Sequence, residues 1–440
     1  MAASNVYWMD DRAQSLETGL VPKMLTVFDA AGFGDMIRPN ALVAIKVHVG
    51  EYNNTGYLRP VFARALADKI RSLGGRPYVT DTTTLTYFPI TSRTTELDIR
   101  ETAERNGYTT AALGCPLIIA DGCFGTSDVH VEIPDGFILR ENYIAAGIAM
   151  ADAMIVLTHF KGHPMGVYGG AIKNVGIGCV SKRGKYNVHL SRHPKYGWQN
   201  AAFTPEVCTG PDCPDYMKCV FCCPHGAITF PDGRIHFEPD LCKGCLGHQA
   251  TATTVCRALD LPDDIFEAMG AAMADSCKSV VDYLGRDNVG FINMAIDSSP
   301  WCDCVPFSDR PFIANMGVFA SKDPVAIDRA CLEMAQKSTG IAGSRAQEAG
   351  VMNPGVKKFS ASASPIGASE DTQTKVGARI GLGSLDYELV RCEPQPVLNF
   401  LPHFDPRPNA LKMPALFAKE PVLPKEGFRF AEEVNLEEVR

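Results

Sequence analysis

ALVAIKVHVG (41–50), RPVFARALADKIRSLGG (59–75) and RPYVTDT (76–82) read as strand, helix and strand. In the first, Val43, Ile45, Val47 and Val49 recur at period two, the signature of a strand. In the second, Arg59-Pro60 opens a run with Phe62, Leu66, Ile70 and Leu73 at helical spacing, and Gly74-Gly75 stops it. The third ends on Asp81-Thr82. The alternation continues outward. LDIRETAERNGY (97–108) reads as a helix and PLIIADG (116–122) as an apolar strand ending in Asp121. ENYIAAGIAMADA (141–153) reads as helical and MIVLTHF (154–160) as a near-continuous apolar strand. Beyond residue 260, PDDIFEAMGAAMADSCKSVVDYLG (262–285) predicts a long helix and NVGFINMAID (288–297) a strand. DPVAIDRACLEMAQ (323–336) predicts a last helix, with Asp323 as its cap. This order predicts an α/β fold, a mostly parallel sheet with helices on both faces. In such sheets chemistry gathers beyond the C-terminal strand ends, where His48, Glu51, Asp81, Asp121, His159, Lys161 and His163 fall.

Composition narrows the class. The 440 residues are 46% hydrophobic and 21% charged, which excludes global disorder. With 42 basic and 50 acidic residues the net charge is −8, so no partnership with nucleic acid or an anionic membrane is expected. Asp10, Asp11 and Glu17 stand where an export signal would be apolar, and Asp152 interrupts the membrane-like run from Ile144 to Leu157. A cytoplasmic protein is expected. The organisation predicted is a core at 1–205, a Cys-rich insert at 206–260, the rest of the core at 261–345, and a Pro-rich arm at 346–440. That arm offers a route to a homo-oligomer or a complex.

Eight of the 16 cysteines lie between Cys208 and Cys256, while the first 114 residues hold none. Cys219-x3-Cys223-Pro224 followed by HGAI fits the second half of a bacterial ferredoxin run, with Cys213 placed as its first cysteine and Tyr216 at the middle position. Cys242-x2-Cys245 begins a second run whose third position is His248. Two ligand groups follow. Cys223 would join Cys242, Cys245 and either His248 or a remote cysteine; Cys213 and Cys219 would be completed by Cys256 and by Cys208 or Cys222. This predicts one or two [4Fe–4S] clusters in a small ferredoxin-like module, with short strands at AITF and RIHF. Paired C-x2-C spacing also suits zinc. Cys302 and Cys304, after a predicted strand, could reach either the module or the sheet's active edge, or remain a reduced surface pair.

HFKGHPMGVYGGAIKNVGIGC (159–179) places two His, two Lys, one Asn and six Gly directly after a strand. Glycines allow the backbone close approach to a ligand. Lys161 and Lys173 are candidate anion-binding groups, His159 and His163 candidate proton carriers, and Asn174 a further ligand contact. Lys46, His48 and Asp81 are candidates to bind a cofactor. Lys46 and His48 are expected to face opposite sides of their strand, so that only one lines a given pocket. Lys185 and His189 follow in KRGKYNVH (182–189). The run matches no nucleotide-binding motif, and its polar groups could instead satisfy one another.

Together, IKVHVGE (45–51), Asp81-Thr82, ADG (120–122), HFKGH (159–163), GGAIKNVGIG (169–178), Gly184-Lys185, CDC (302–304) and SKDPVAID (321–328) resemble the iron–sulfur family grouped as domain of unknown function 362. The resemblance spans about residues 40–335. It implies an α/β core carrying a ferredoxin-type insert and an anaerobic, redox-linked setting, but no particular substrate. Tyr216, His248 and a missing second Cys-Pro depart from the usual pattern. The function expected is an iron–sulfur oxidoreductase, passing electrons to an anionic or carbonyl substrate or cofactor held by Lys161, His163, Lys173 and Asn174. The alternatives are an electron-transfer subunit docking on a redox partner protein, and a non-redox cluster-dependent lyase.

Overall fold

The computed structural model describes residues 3–85, 91–248, 253, 256–364, 367–396, 424–432, 434 and 436–439. Its centre is an eight-stranded sheet. In chain order the strands are β1 (Ser4–Met9), β2 (Leu42–Lys46), β3 (Arg76–Asp81), β4 (Leu117–Ile119), β5 (Ala153–His159), β6 (Val289–Ala295), β7 (Gly317–Ser321) and β8 (Tyr387–Arg391). Their spatial order is β8-β1-β7-β6-β5-β2-β3-β4. Only β7 runs antiparallel to its neighbours; every other pairing is parallel. The expected α/β sheet is therefore present.

Both faces are covered because residues alternate along each strand. Val43, Ile45, Ile155, Leu157 and Ile292 pack against α1 (Leu20–Ala30), α2 (Pro60–Ser72) and α3 (Glu96–Arg105). Ala44, Met154, Val156 and Phe291 face the opposite layer. That layer holds α4 (Ala171–Gly176), α6 (Ile265–Leu284), α7 (Pro324–Lys337) and α8 (Thr372–Arg379). A short helix, α5 (Lys182–Val188), follows α4. The Asp323 carboxylate caps α7, accepting from the Val325 and Ala326 amides at 2.8 and 3.0 Å.

One local reading is corrected. Residues 141–145 form a strand paired with Asp128–Glu132, and only Ala146–Ala149 is helical. Asn142 is pinned there by Ser276 and Ser279, each 2.8 Å away, which favours the extended chain over a helix. The N-terminal β1 and α1 carried no reading at all. The arm expected from residue 346, to be packed on its own protein or on a partner, lies on the core as far as residue 391 and carries α8 and β8. There β8 pairs with β1, so that β1 is no longer an open edge, and Tyr387 donates to Glu333 at 2.8 Å. Of the Pro-rich stretch beyond, residues 397–423 lie outside the described residues.

The Cys-rich segment leaves the core at Ala202–Phe203 and returns at Leu259–Asp260, and those two strands pair with each other. Inside it, Ile228–Thr229 pairs with His236–Phe237, within the expected AITF and RIHF stretches. No helix among the described residues is long and apolar enough to cross a membrane.

Candidate functional site

The C-terminal strand ends converge on a cavity of about 470 Å³. At the end of β2, Lys46 is buried, and its Nζ reaches Asp81 Oδ1 at the end of β3 (3.0 Å) and Asn174 Oδ1 on α4 (2.9 Å). Asn174 in turn donates to Thr158 Oγ1 near the end of β5, at 2.9 Å. Three strands and one helix are thus fixed by two side chains. Lys46 and His48 both line the cavity. The expectation that only one would do so fails because positions two apart along an extended chain share a face.

The Gly-rich stretch turns back on itself, Lys161–His163 pairing with Val167–Gly169, before α4 begins. Its glycines are explained by close approach. A Cβ at Gly162 would lie 2.3 Å from the Pro300 carbonyl, and one at Gly178 2.5 Å from Lys46 Nζ. The start of α4 is held from α7. Asp328 accepts from the amides of Ala171 (2.7 Å) and Ile172 (3.0 Å) and from Asn293 (2.8 Å). Burial pushes its carboxyl up to about 6 despite those donors.

Five cationic side chains line the cavity: Lys46, Lys161, Lys173, Lys185 and Arg93. Four have acidic partners. Lys46 pairs with Asp81, Arg93 with Glu51 at 3.0 Å, Lys161 with Asp303 at 3.2 Å, and Lys185 lies 3.9 Å from Asp121. Lys173 is 9% exposed, and its Nζ makes no hydrogen bond or carboxylate ion pair with any described residue. Burial draws the Lys185 ammonium down to about 8, the nearby carboxylates only partly opposing it. Burial likewise raises Asp121, with Lys185 pulling the other way.

The histidines differ in what their rings can do. His159 is committed: Nδ1 meets Asp303 Oδ2 at 2.9 Å and Nε2 meets the Ile296 carbonyl at 2.8 Å. Both partners are acceptors, which leaves the ring as an anchor rather than a mobile proton carrier. His163 Nδ1 accepts from the Gly166 and Met165 amides (2.9 and 3.2 Å), and His48 Nδ1 accepts from the Gly50 amide (2.9 Å). Burial and the surrounding cations hold both well below the usual histidine value, so both rings are neutral. With Nδ1 accepting, each carries its proton on Nε2 and is a hydrogen-bond donor there. His189 bonds the Lys185 carbonyl through Nδ1 at 2.6 Å, and burial lowers it to about 4.

Cys304 lines the cavity and Cys302 lies buried behind it. Their sulfurs and one ring nitrogen of His163 all lie within 4.8 Å of one another, a group that could hold a metal ion. Burial raises the Cys302 thiol, but the Cys304 hydrogen bond and the ammonium groups of Lys173 and Lys161 outweigh it and bring it to about 5. Cys304 is pushed well above its ordinary value, first by that shared hydrogen bond and then by burial. Asp303 between them is also fully buried. Burial would raise its carboxyl, yet His159 and Lys161 hold it down to about 2. Of the two places open to this pair, the structure puts it at the sheet's edge.

In the Cys-rich segment, Cys222, Cys223, Cys242, Cys245 and His248 line one small cleft. A Cβ at Gly247 would lie 2.3 Å from the Cys222 carbonyl and 3.7 Å from the Cys245 sulfur, so the loop wraps tightly around these thiols. Burial raises Cys242, partly offset by the Gly244 amide that bonds its sulfur. Burial also brings His248 down to about 4, a neutral imidazole. Soft thiols, apolar walls and an amide aimed at sulfur suit an iron–sulfur group, and the same thiols suit zinc. Cys208, Cys213, Cys219 and Cys256 are half-buried. Cys208, Cys219 and Cys256 pack on the apolar cluster that includes Cys222 and Cys242. That cluster also contains Leu85 and Met273 of the cavity wall. Ser191 Oγ donates to the Gly244 carbonyl at 2.7 Å, and Arg192 to the Cys242 carbonyl at 2.6 Å, just beyond cavity-lining His189. Arg93 and Asp303 were missed by sequence reasoning; both lie in irregular segments without periodicity.

No curated protein matches this chain. Among solved structures, the lactate racemase apoprotein from Thermoanaerobacterium thermosaccharolyticum is similar over 67% of this chain, with 14% identity and a TM-score of 0.31. The match spans about half of that protein's length (51%) and carries no argument about activity. A family model described as Domain of unknown function (DUF362) matches residues 43–333, which takes in β2 through most of α7 and every cavity residue named above. Over well more than half of its length, then, the chain has the sequence of the Domain of unknown function (DUF362) family and belongs to it.

Proposed function

We propose that the protein is an iron–sulfur oxidoreductase. In this reading, one or two [4Fe–4S] clusters in the Cys-rich segment supply electrons to an anionic, carbonyl-bearing small molecule bound in the cavity. The observation that carries it is Lys173, a buried ammonium that opens on the cavity without a carboxylate partner among the described residues. A buried cation lacking a counter-charge is costly, so its natural complement is an anionic ligand group. The other four cations already face carboxylates, which leaves Lys173, with the Cys302 sulfur on its far side, to meet the ligand.

His48 and His163, neutral and protonated at Nε2, suit the polarisation of a carbonyl oxygen by hydrogen bonding. Lys185, drawn down to about 8, is the group best able to give up a proton near neutrality. The ties from Ser191 and Arg192 to the Cys242–Cys245 loop support short passage between segment and cavity. When bound, the clusters would supply single electrons at low potential. A concave site of about 470 Å³ favours a small molecule over a protein docking face.

The test begins with iron and acid-labile sulfide in anaerobically purified protein. About eight irons per chain correspond to two clusters and about four to one. Dithionite-reduced protein should then be reoxidised by small 2-oxo acids. Lys173→Ala should keep its iron and lose at least about tenfold in affinity for those acids, the factor that ~1.4 kcal/mol of lost attraction is worth. Zinc without sulfide, or a reduced protein that no such acid reoxidises, would overturn the reading.

A further inference from the structure

We propose that Cys302 and Cys304 are a redox-active dithiol that exchanges with an anionic disulfide in the cavity. The inference rests on the reading of the cavity as an anion site, and is independent of iron in the Cys-rich segment.

Position assigns the two roles. Cys304 is on the cavity wall, while Cys302 is fully buried behind it. The Cys304 amide also points at the Cys302 sulfur, 3.4 Å away. A thiol that meets the substrate and a second behind it, poised against the first, are the two parts that thiol–disulfide exchange needs. The pair is held rigidly. Asp303 is clamped by His159 and Lys161, and its own carbonyl accepts from the Glu51 amide at 2.7 Å.

His163 argues against a metal at this place. Its Nδ1 lone pair is already used by two backbone amides, so the neutral ring carries a proton on Nε2, the nitrogen a metal would need. An N–H donor beside two sulfurs stabilises a thiolate. Lys161 and Lys173 add positive charge on the same side.

The chemistry balances without an outside oxidant. The Cys304 thiol passes its proton to the Cys302 thiolate as its sulfur attacks R–S–S–R′, forming a mixed disulfide and releasing R–S⁻. Cys302 gives that proton up to the released R–S⁻, and its sulfur then attacks the Cys304 sulfur, forming the Cys302–Cys304 bond and releasing R′–S⁻. The pair loses two electrons, and the substrate's two sulfurs gain them. The one proton that the pair holds leaves with the first released thiol or to the medium.

The sequence makes the test direct. Because Arg310 precedes Pro311, tryptic cleavage after Arg286 and Lys322 yields one peptide whose only cysteines are 302 and 304. Intact, anaerobically purified protein is incubated with glutathione disulfide, which is anionic, or with cystamine, which is cationic. The peptide should lose the mass of two hydrogens with glutathione disulfide, at least about tenfold faster than with cystamine. Cys302→Ser should trap a glutathionyl group on Cys304, and Lys173→Ala should slow closure in the wild-type pair without changing iron content. A peptide that stays reduced with both reagents overturns the dithiol role, as does stoichiometric zinc that is lost in Cys304→Ser. Equal rates with both reagents overturn the anionic substrate class. Either result leaves the iron measurement, and the oxidoreductase reading, standing or falling on its own.

Discussion

Asp303 Oδ2 stands 2.9 Å from His159 Nδ1, joining the turn after β6 to the last residue of β5. The same oxygen is 3.2 Å from Lys161 Nζ, and all three groups are buried. One carboxylate thus holds an imidazole and an ammonium and fixes the two cysteines on either side of it. Removing one partner from such a buried set leaves an uncompensated charge, which costs about 3–5 kcal/mol. Asp303→Asn should lose stability on that scale, read as a lower urea midpoint with an unchanged slope. A loss under about 1 kcal/mol would mean that solvent reaches the group.

The same carboxylate sets an acid limit. It is held down to about 2 in the fold against an ordinary value of 3.8. Its contribution is therefore complete above about pH 4 and disappears as pH falls toward 2, on the order of 2 kcal/mol in all. Denaturation across that window should show a step in the wild type that is missing in Asp303→Asn.

Lys185 behaves in the opposite sense. Burial lowers it from 10.5 to about 8, so folding disfavours its charged form, and stability should rise as pH climbs from about 8 toward 10.5. Binding of an anion should weaken over the same rise, because the cavity loses a positive charge. The pH profile of 2-oxo acid binding should have an alkaline limb near 8, absent in Lys185→Arg. A limb that persists in that variant would assign it to another group.

Asp328 acts through α4 rather than on a ligand. Its two bonds to the amides of Ala171 and Ile172 orient the helix that carries Lys173 and Asn174. Because burial raises it to about 6, its contribution to stability falls as pH rises from about 4 to 6, the reverse of Asp303. Asp328→Ala should cost about 1–3 kcal/mol through the unpaired amides. It should raise KM for the acid substrate more than it lowers kcat, whereas a merely structural role would leave KM unchanged.

Most of this fold was legible because period-two and helical spacings persist wherever a sheet is covered on both faces, as from Val43 to Ile70. The strand at 141–145 was misread because it runs straight into the small apolar residues of the Ala146–Ala149 helix, and tertiary bonds from Ser276 and Ser279 to Asn142 hold it extended. Lys46, Lys161 and Lys173 were legible as strand-end groups. Their balance was not, because Asp303 meets Lys161, and Arg93 meets Glu51 beside them, only through long-range contacts. The anchoring of His159, which removes it from proton transfer, depends on a residue 144 positions away.

The Cys-rich segment separates its thiols into those that share a cleft and those that do not. Cys223, Cys242 and Cys245 converge, whereas Cys213 lies outside that cleft. If one cluster occupies the cleft, Cys223→Ser should lose about half or more of the iron, and Cys242→Ser should do the same. Cys213→Ser then tests the second group. An unchanged iron content there means a single cluster, while a loss of about four irons means two. Arg192→Ala adds a readout that does not depend on a ligand. It frees the Cys242 carbonyl without touching a sulfur, so it should leave the iron count intact and shift the cluster's reduction potential through changed hydrogen bonding and solvent access. A variant that keeps both its iron and its potential would show that the 191–192 tie does not reach the cluster. The electron route would then have to run through the apolar cluster around Met273 instead.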